Sequence, residues 1–337
     1  MEFFGYTLFG SLGGGALMAV SAVIFIVGLV FIIKGGDWFV DSASWFAEAT
    51  GIPKFVVGAT VVSFATTLPE LLVSVRAAMN GSAQLAIGNA VGSVTANTTL
   101  IMGVSLVAMA GAVNRKSFTL KGGLLLAASI GLTLLSLSLE LPTWSAYVLW
   151  AIFLIFMISN LVEGKKAAAS DEVDSYEKKE IPSKLLFFVL GTAGIVLGAE
   201  FLVGSGQTIA KGFGISEAII GFTVIALGTS LPEFVTTLTA IRKKESGLSV
   251  GNIVGANIID LTLILPVCAI IDGKALPVAQ MNINFDFPVC IFACAVAVIP
   301  TIIMGKFKKW QGVALLAIYA GYMACLVLNE IGVVTFA

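Results

Sequence analysis

Long apolar segments alternate with short polar stretches along the chain, and ten of the apolar segments approach or exceed the length of a membrane span. An α-helix needs about 20 apolar residues to cross roughly 30 Å of hydrocarbon. The pattern therefore predicts an all-α integral membrane protein with ten transmembrane helices. The predicted spans lie near residues 16–34, 55–79, 85–111, 122–140, 144–163, 185–210, 217–241, 249–271, 284–304 and 312–330.

One long polar segment, residues 164–184, interrupts this pattern. We interpret it as a solvated cytoplasmic linker between a first five-span half, residues 1–163, and a second five-span half, residues 185–337. No basic region precedes the first apolar segment, so we interpret the N-terminus as retained rather than as a cleaved signal peptide.

The second half repeats the first at a constant offset of 163 residues. Leu68–Glu70 aligns with Leu231–Glu233, and Gly88–Gly92 aligns with Gly251–Gly255, without a gap between them. Each half contains an odd number of predicted spans, so the two copies must cross the membrane in opposite directions. Such inverted repeats are a recurring plan of secondary transporters, and they favour a transporter over a channel.

The distribution of basic residues predicts one orientation in the membrane. Of the 19 Lys and Arg residues, all except Arg76, Lys211 and Lys274 then fall on the cytoplasmic side. Cytoplasmic loops of membrane proteins carry an excess of Lys and Arg. Both termini are therefore predicted to lie outside, in the plasma (inner) membrane of a prokaryote-like cell.

Composition and motifs exclude several other classes of protein. The chain is 58% hydrophobic and 12% charged, whereas soluble domains have about 25% charged residues. The net charge of −1 gives no reason to expect nucleic acid as a partner. Nucleotide-binding and nucleophile motifs are absent, and a membrane aspartyl protease would need a second deep aspartate beside Asp260. We expect no enzymatic activity, no soluble cofactor and no obligatory protein partner.

Two prolines place potential cation ligands in the middle of spans two and seven. Glu70 and Glu233 lie near the bilayer midplane, where inserting an ionisable side chain costs at least ~2.5–3.5 kcal/mol. Pro69 and Pro232 lack an amide hydrogen and disrupt the preceding helical turn, which frees backbone carbonyl groups. The candidate ligands form two matched sets: Ser63, Thr66, Thr67 and Glu70 in the first copy, and Ala226, Thr229, Ser230 and Glu233 in the second.

A second polar motif follows each glutamate. The repeated Gly-Asn-x-Val-Gly sequence provides a face of small residues, which allows helices to approach closely. Ser93 and Asn97 share a helix face in the first copy, as do Ala256 and Asp260 in the second, because residues four apart lie on the same side. We expect these faces to press against the broken helices.

The predicted ligands are oxygen atoms, and their number favours calcium. Calcium takes 6–8 oxygens at about 2.3–2.6 Å, whereas magnesium prefers octahedral geometry at about 2.0–2.1 Å and keeps its waters. Bidentate Glu70 and Glu233, with the carbonyl groups of Thr66 and Thr229, would supply about six oxygens. Sodium also accepts oxygen ligands, and the remaining candidates for it are Thr67, Ser93, Asn97, Ser230 and Asp260.

The two copies, at about residues 36–103 and 199–266, resemble the α-repeats of the calcium/cation antiporter superfamily, in particular its sodium/calcium exchanger branch. The resemblance rests on Gly-Thr-Ser-Leu-Pro-Glu at 228–233, followed by Gly-Asn-Ile-Val-Gly at 251–255. It implies a ten-helix fold with ion sites between spans two, three, seven and eight. It also implies an antiporter whose two glutamates bind calcium in one phase and sodium in the other.

Three positions depart from the pattern of that family. Ala65-Thr66-Thr67 replaces the usual Gly-Thr-Ser or Gly-Ser-Ser, and Ala256 stands where exchangers commonly have serine. The loss of a hydroxyl at position 256 leaves a calcium/proton or other cation antiporter as an alternative. Glycine, however, occupies the places where the proton-coupled branch usually carries an acidic residue, which favours sodium. A cation channel is a further alternative.

Overall fold

The computed structural model is almost entirely helical. Within the part of the chain that it describes, the strands are β1 (Glu140–Leu141) and β2 (Leu276–Pro277), which pair antiparallel. Eight helices there are long and apolar enough to cross a membrane, or nine if a bent pair counts as one more span. The prediction of an all-helical, multi-pass membrane protein is confirmed. The described residues are 14–111, 113–170, 178–213, 228–330 and 332–336.

Eleven helices are numbered here in chain order over the described ranges. The first half contains α1 (Gly14–Thr50), α2 (Lys54–Thr66), α3 (Leu68–Met79), α4 (83–109), α5 (Arg115–Leu135) and α6 (Ser145–Ser170). The second half contains α7 (Ile181–Gly212), α8 (Leu231–Arg242), α9 (Ser246–Asp272), α10 (Asn282–Met304) and α11 (Lys309–Glu330).

Several of these helices contain a π-helical turn, in which the hydrogen bonds span one residue more than in an α-helix. Such turns are rare and are frequently found at functional sites. Two of them begin at Asn97 and Asp260, which are candidate ligands. The π turns lie at Gly58–Val62, Asn97–Ile101, Asp260–Ile264 and Asn282–Asp286.

The backbone of the second half repeats that of the first at the same offset of 163 residues. Helix α8 repeats α3, and the π turn at Asp260–Ile264 repeats the one at Asn97–Ile101. The turns after α3 and α8 also match, since Gly81 and Lys244 have positive φ angles of 72° and 61°. The internal duplication predicted from the sequence is therefore visible in the local structure.

Helices α1 and α7 are equivalent members of the two copies, and they pack against each other through glycines. A Cβ atom on Gly28 would lie 3.0 Å from the carbonyl oxygen of Gly198. A Cβ atom on Gly35 would lie 2.9 Å from the carbonyl oxygen of Gly191. The earlier glycine of α1 meets the later glycine of α7, and conversely, so the two equivalent helices run antiparallel.

Two helix boundaries differ from the sequence prediction. Helix α1 continues to Thr50 instead of ending near residue 34, although a Gly-Gly pair follows that position. These glycines do not end the helix because they allow close packing: a Cβ on Gly36 would lie 2.8 Å from Thr239 Oγ1 of α8. Helix also extends into both ends of the predicted linker, since α6 runs to Ser170 and α7 begins at Ile181.

Charged residues near the end of α1 form ion pairs with the connection between α8 and α9. Lys243 lies 2.5 Å from Asp41, and Lys54 lies 2.7 Å from both Glu48 and Glu245. Exposed ion pairs typically contribute only about 0–1 kcal/mol each. We therefore interpret them as fixing the position of this connection beside α1 rather than as a main source of stability.

Lys121 is a buried cation, although the sequence placed it in a cytoplasmic connection. Its side chain is 1% exposed, and Nζ lies 2.8 Å from Glu163 Oε2 and 4.8 Å from the centre of the Phe55 ring. Ser117 Oγ also donates to Glu163 Oε2, at 2.7 Å. The pair ties α5 to α6 and places a positive charge beside the start of α2.

We expect Glu163→Gln to destabilise the protein, because it leaves the buried Lys121 ammonium without its anion. Breaking a buried pair from one side typically costs about 3–5 kcal/mol; partial exposure of Glu163 reduces this to about 2 kcal/mol. Thermal unfolding in detergent measures the effect. The double variant Lys121→Met/Glu163→Gln should recover most of the loss. Equal stability of the wild type and Glu163→Gln would contradict this interpretation.

Candidate cation-binding site

The chain bends at the first Pro-Glu motif as predicted. Helices α2 and α3 meet at an angle of 47°, and Thr67 between them has φ −86° and ψ 1°. Pro69 has no amide hydrogen, so the turn before it lacks a regular helix bond. Ser230 takes nearly the same conformation before α8, with φ −87° and ψ 7°. Each copy therefore starts a new helix two residues before its glutamate-bearing turn closes.

Three carboxyl groups are buried together. Glu70 is 1% exposed, and Glu233 and Asp260 are 0% exposed. The carboxyl groups lie close enough to interact electrostatically with one another. Both carboxylate oxygens of Glu70 and of Asp260, and Oε2 of Glu233, accept no hydrogen bond from any described residue. Because buried charges are normally paired or bound to a metal, this cluster calls for a cation.

Hydroxyl groups of the first copy contact polar groups of the second. Thr67 Oγ1 donates to the carbonyl oxygen of Ser63 at 2.6 Å and lies 3.3 Å from Glu233 Oε1. Thr66 Oγ1 donates to Asn252 Oδ1 at 3.1 Å. The two copies therefore contribute oxygen atoms to one shared region, as expected for ligands between spans two, seven and eight.

The remaining candidate ligands are also buried. Asn97, Ser93 and Ser230 are 1–2% exposed, and their side-chain polar atoms make no hydrogen bond within the described ranges. Native proteins leave few buried polar atoms without a partner, so a concentration of them in one place indicates a site for an ion or water. Thr229 is half-buried in the turn before Ser230, and Ala226 lies outside the described residues.

Close packing of α2 against α9 brings this region together. A Cβ on Gly255 would lie 2.5 Å from both the carbonyl oxygen of Ala59 and Ser63 Oγ. A Cβ on Gly58 would lie 2.5 Å from the carbonyl oxygen of Leu248. The predicted role of the second glycine motif in close helix approach is confirmed. The equivalent test of Gly88 and Gly92 depends on residues 214–227, which the structure does not describe.

Further buried polar side chains border the region that the sequence prediction did not include. Asn252 Nδ2, Asn257 Oδ1 and the hydroxyls of Thr236 and Thr237 have no hydrogen-bond partner among the described residues. Asn252 had a sequence signal, because it repeats Asn89, which donates to Ser74 Oγ at 3.0 Å. The two threonines had only their position one helical turn after Glu233.

The site is built from mixed oxygen ligands. In the described part of the chain, no three Asp, Glu, His or Cys side chains converge closely enough to bind one metal ion by themselves. Any cation held here would therefore use hydroxyl, amide or backbone carbonyl oxygens beside the carboxylates. Calcium and sodium are hard cations that accept such ligands, whereas zinc prefers nitrogen and sulfur.

Comparison with known proteins agrees with this geometry. The sodium/calcium exchanger protein family model matches residues 20–162 and 183–328, which includes both copies. The sodium/calcium exchanger MaX1 of Methanosarcina acetivorans is 29% identical over 349 aligned positions, covering 92% of this chain and 99% of that protein. The inner membrane protein YrbG of Escherichia coli is 32% identical over 271, covering 78% and 83%.

A solved structure shows the same architecture. The sodium-calcium exchanger NCX_Mj, in a crystal soaked with sodium and strontium, superposes with a TM-score of 0.79 at 28% sequence identity. The match covers 91% of this chain and 98% of that one. The protein belongs to the sodium/calcium exchanger family and is a multi-pass membrane protein of a transporter family.

Proposed function

We propose that this protein is a secondary antiporter that exchanges calcium for sodium by alternating access. The observation that carries the proposal is the buried, symmetric pair Glu70 and Glu233, whose carboxylates lie beside helix breaks and retain oxygen atoms without partners. Two negative charges at membrane depth are stabilised when a divalent cation binds them. An exchanger must keep such a site shared, so that one ion leaves before the other binds.

The proposed ligands follow from the chemistry of the residues. Glu70 and Glu233 bind calcium, together with backbone oxygens at Thr66 and Thr229. Sodium uses the same glutamates with additional oxygens around them, and the transported ions are substrates rather than resident cofactors. The candidates for these additional ligands are Ser63, Thr67, Ser93, Asn97, Ser230 and Asp260, with the backbone of Ala226.

We further propose ten spans arranged as two inverted five-span halves, joined by the cytoplasmic linker within 164–184. The antiparallel packing of α1 against its equivalent α7 supports the inversion, since each copy contributes the same glycine positions. An odd number of spans per half and the excess of Lys and Arg on one side favour external termini. The relative named as an inner membrane protein supports the plasma membrane as the location.

A calcium/proton antiporter is the second candidate, and Ala256 is the observation in its favour. The methyl group at this buried position offers no oxygen to a sodium ion. A buried carboxylate, in contrast, can take up a proton when the cation leaves. Sodium coupling and proton coupling predict different dependence on the counter-ion, and this difference can be measured.

Calcium uptake into reconstituted vesicles tests the proposal. Vesicles loaded with sodium and diluted into sodium-free buffer should accumulate calcium at least about tenfold faster than vesicles loaded with potassium. An imposed pH gradient without sodium should give no uptake. Uptake that follows the pH gradient and ignores sodium would replace the proposal with proton coupling, and uptake without any counter-ion would indicate a channel.

A further inference from the structure

The two copies differ in where they carry small hydroxyl groups. Ser93 of the first copy corresponds to Ala256 of the second, and Ser63 of the first corresponds to Ala226 of the second. At these two equivalent positions the first copy therefore has two hydroxyls and the second has none. A site built from both copies would be one hydroxyl short on the side of Ala256 unless another residue supplies it.

The packing of the helices places Ser63 on that side. Ser63 is fully buried in α2, and its Oγ lies 2.5 Å from where a Cβ on Gly255 would be. Ala256 is the next residue of α9 and is also fully buried. Because Ala256 precedes Asp260 by four residues, its side chain lies on the same face of α9 as that carboxylate.

Ser63 is also connected to the carboxylate cluster. Its carbonyl oxygen accepts hydrogen bonds from Thr67 N at 2.9 Å and Thr67 Oγ1 at 2.6 Å. Thr67 Oγ1 in turn lies 3.3 Å from Glu233 Oε1. The hydroxyl of Ser63 donates to the carbonyl oxygen of Thr60 at 3.0 Å, so its lone pairs remain free to accept or to bind a cation.

We propose that Ser63 supplies, from α2, the hydroxyl that is absent at position 256 of α9. The serine oxygen has moved across the interface between the two halves while remaining at the same corner of the site. The inference rests on the proposed function, and it assigns Ser63 to the binding of the monovalent counter-ion. It explains how a chain with Ala256 retains sodium coupling.

Relocation of the hydroxyl is the test. Ser63→Ala should raise the sodium concentration for half-maximal calcium uptake by about tenfold, which corresponds to about 1.4 kcal/mol. Ser63→Ala/Ala256→Ser should restore the value to within about threefold of the wild type, because it returns one hydroxyl to the corner. Ser63→Cys, which keeps nearly the same volume without a hard oxygen, should behave as Ser63→Ala.

Ser93 provides the matched control, since it is a buried serine in the equivalent position of the other copy. Ala256→Ser should not rescue Ser93→Ala, because the added hydroxyl lies in the wrong place. Normal sodium dependence in Ser63→Ala and Ser63→Cys, or rescue of both serine variants by Ala256→Ser, would overturn the inference. If the wild type shows no sodium-dependent uptake, the proposed function itself fails, which is a different outcome from a functioning wild type with unaffected variants.

Discussion

Glu233→Gln is expected to reduce sodium-dependent calcium uptake by at least about a hundredfold, and Glu70→Gln should have a similar effect. Each substitution preserves the shape of the side chain and removes one negative charge from a site that is 0–1% exposed. Removing one partner of a buried charge pair typically costs about 2–5 kcal/mol, and each 1.4 kcal/mol corresponds to about tenfold. The amide also offers only one oxygen to the ion.

Initial rates of calcium uptake in vesicles containing equal amounts of folded protein measure this effect. Glu140→Gln is the matched control, because Glu140 is exposed in β1 outside the spans, and it should transport normally. Both glutamate variants should remain folded, because a neutral side chain removes repulsion from the unoccupied cluster. Transport at the wild-type rate by either variant would show that the carboxylates do not bind the transported ion.

Gly255→Ala should impair assembly of the site and lower transport strongly. The added Cβ would lie 2.5 Å from the carbonyl oxygen of Ala59 and from Ser63 Oγ, and a backbone oxygen cannot move aside as a flexible side chain does. Overpacking of this kind costs about 1–3 kcal/mol, and relief requires α2 to separate from α9. Separation would withdraw Ser63, Thr66 and Thr67 from the second copy.

Thermal unfolding and uptake, measured on the same preparation, separate stability from function. Gly131→Ala in α5 is the control, because its Cβ meets no described atom within 4 Å. Alanine there should stabilise the helix by about 0.5–1 kcal/mol. We expect Gly255→Ala to unfold at lower temperature than the wild type and Gly131→Ala at the same or higher temperature. Equal behaviour of the two variants would mean that the close approach at Gly255 is not required.

Features that depend on residues close in sequence could be predicted from the sequence. Pro69 and Glu70 indicated a helix break beside a carboxylate, and the structure shows the 47° bend at the preceding residue. The offset of 163 residues predicted the repeated helix and turn boundaries, down to the matching turns at Gly81 and Lys244. Local chemistry determines these features, so a local pattern reveals them.

Contacts between the two halves could not be predicted in the same way. The bond between Thr66 and Asn252 joins residues 186 positions apart, and the approach of Ser63 to Gly255 depends on the register of α2 against α9. Sequence spacing does not define that register. The same reason explains why Asn257 and Thr236 were not recognised as part of the site.

The end of α1 was predicted wrongly for a related reason. A Gly-Gly pair after residue 34 is typical of a helix end, yet Gly35 and Gly36 lie within the continuous helix Gly14–Thr50. Glycine has two uses, in a turn and in a close helix contact. The packing against α7 and α8 decides between them, and it is a property of the tertiary structure.

The central claim is that calcium and sodium compete for one site centred on Glu70 and Glu233. Equilibrium binding of calcium to the purified protein, titrated at increasing sodium with choline keeping the ionic strength constant, tests it most directly. The calcium concentration for half-saturation should rise steadily with sodium, and Glu70→Gln/Glu233→Gln should bind neither ion. Calcium binding that does not change with sodium, or that persists in the double variant, would contradict a shared site.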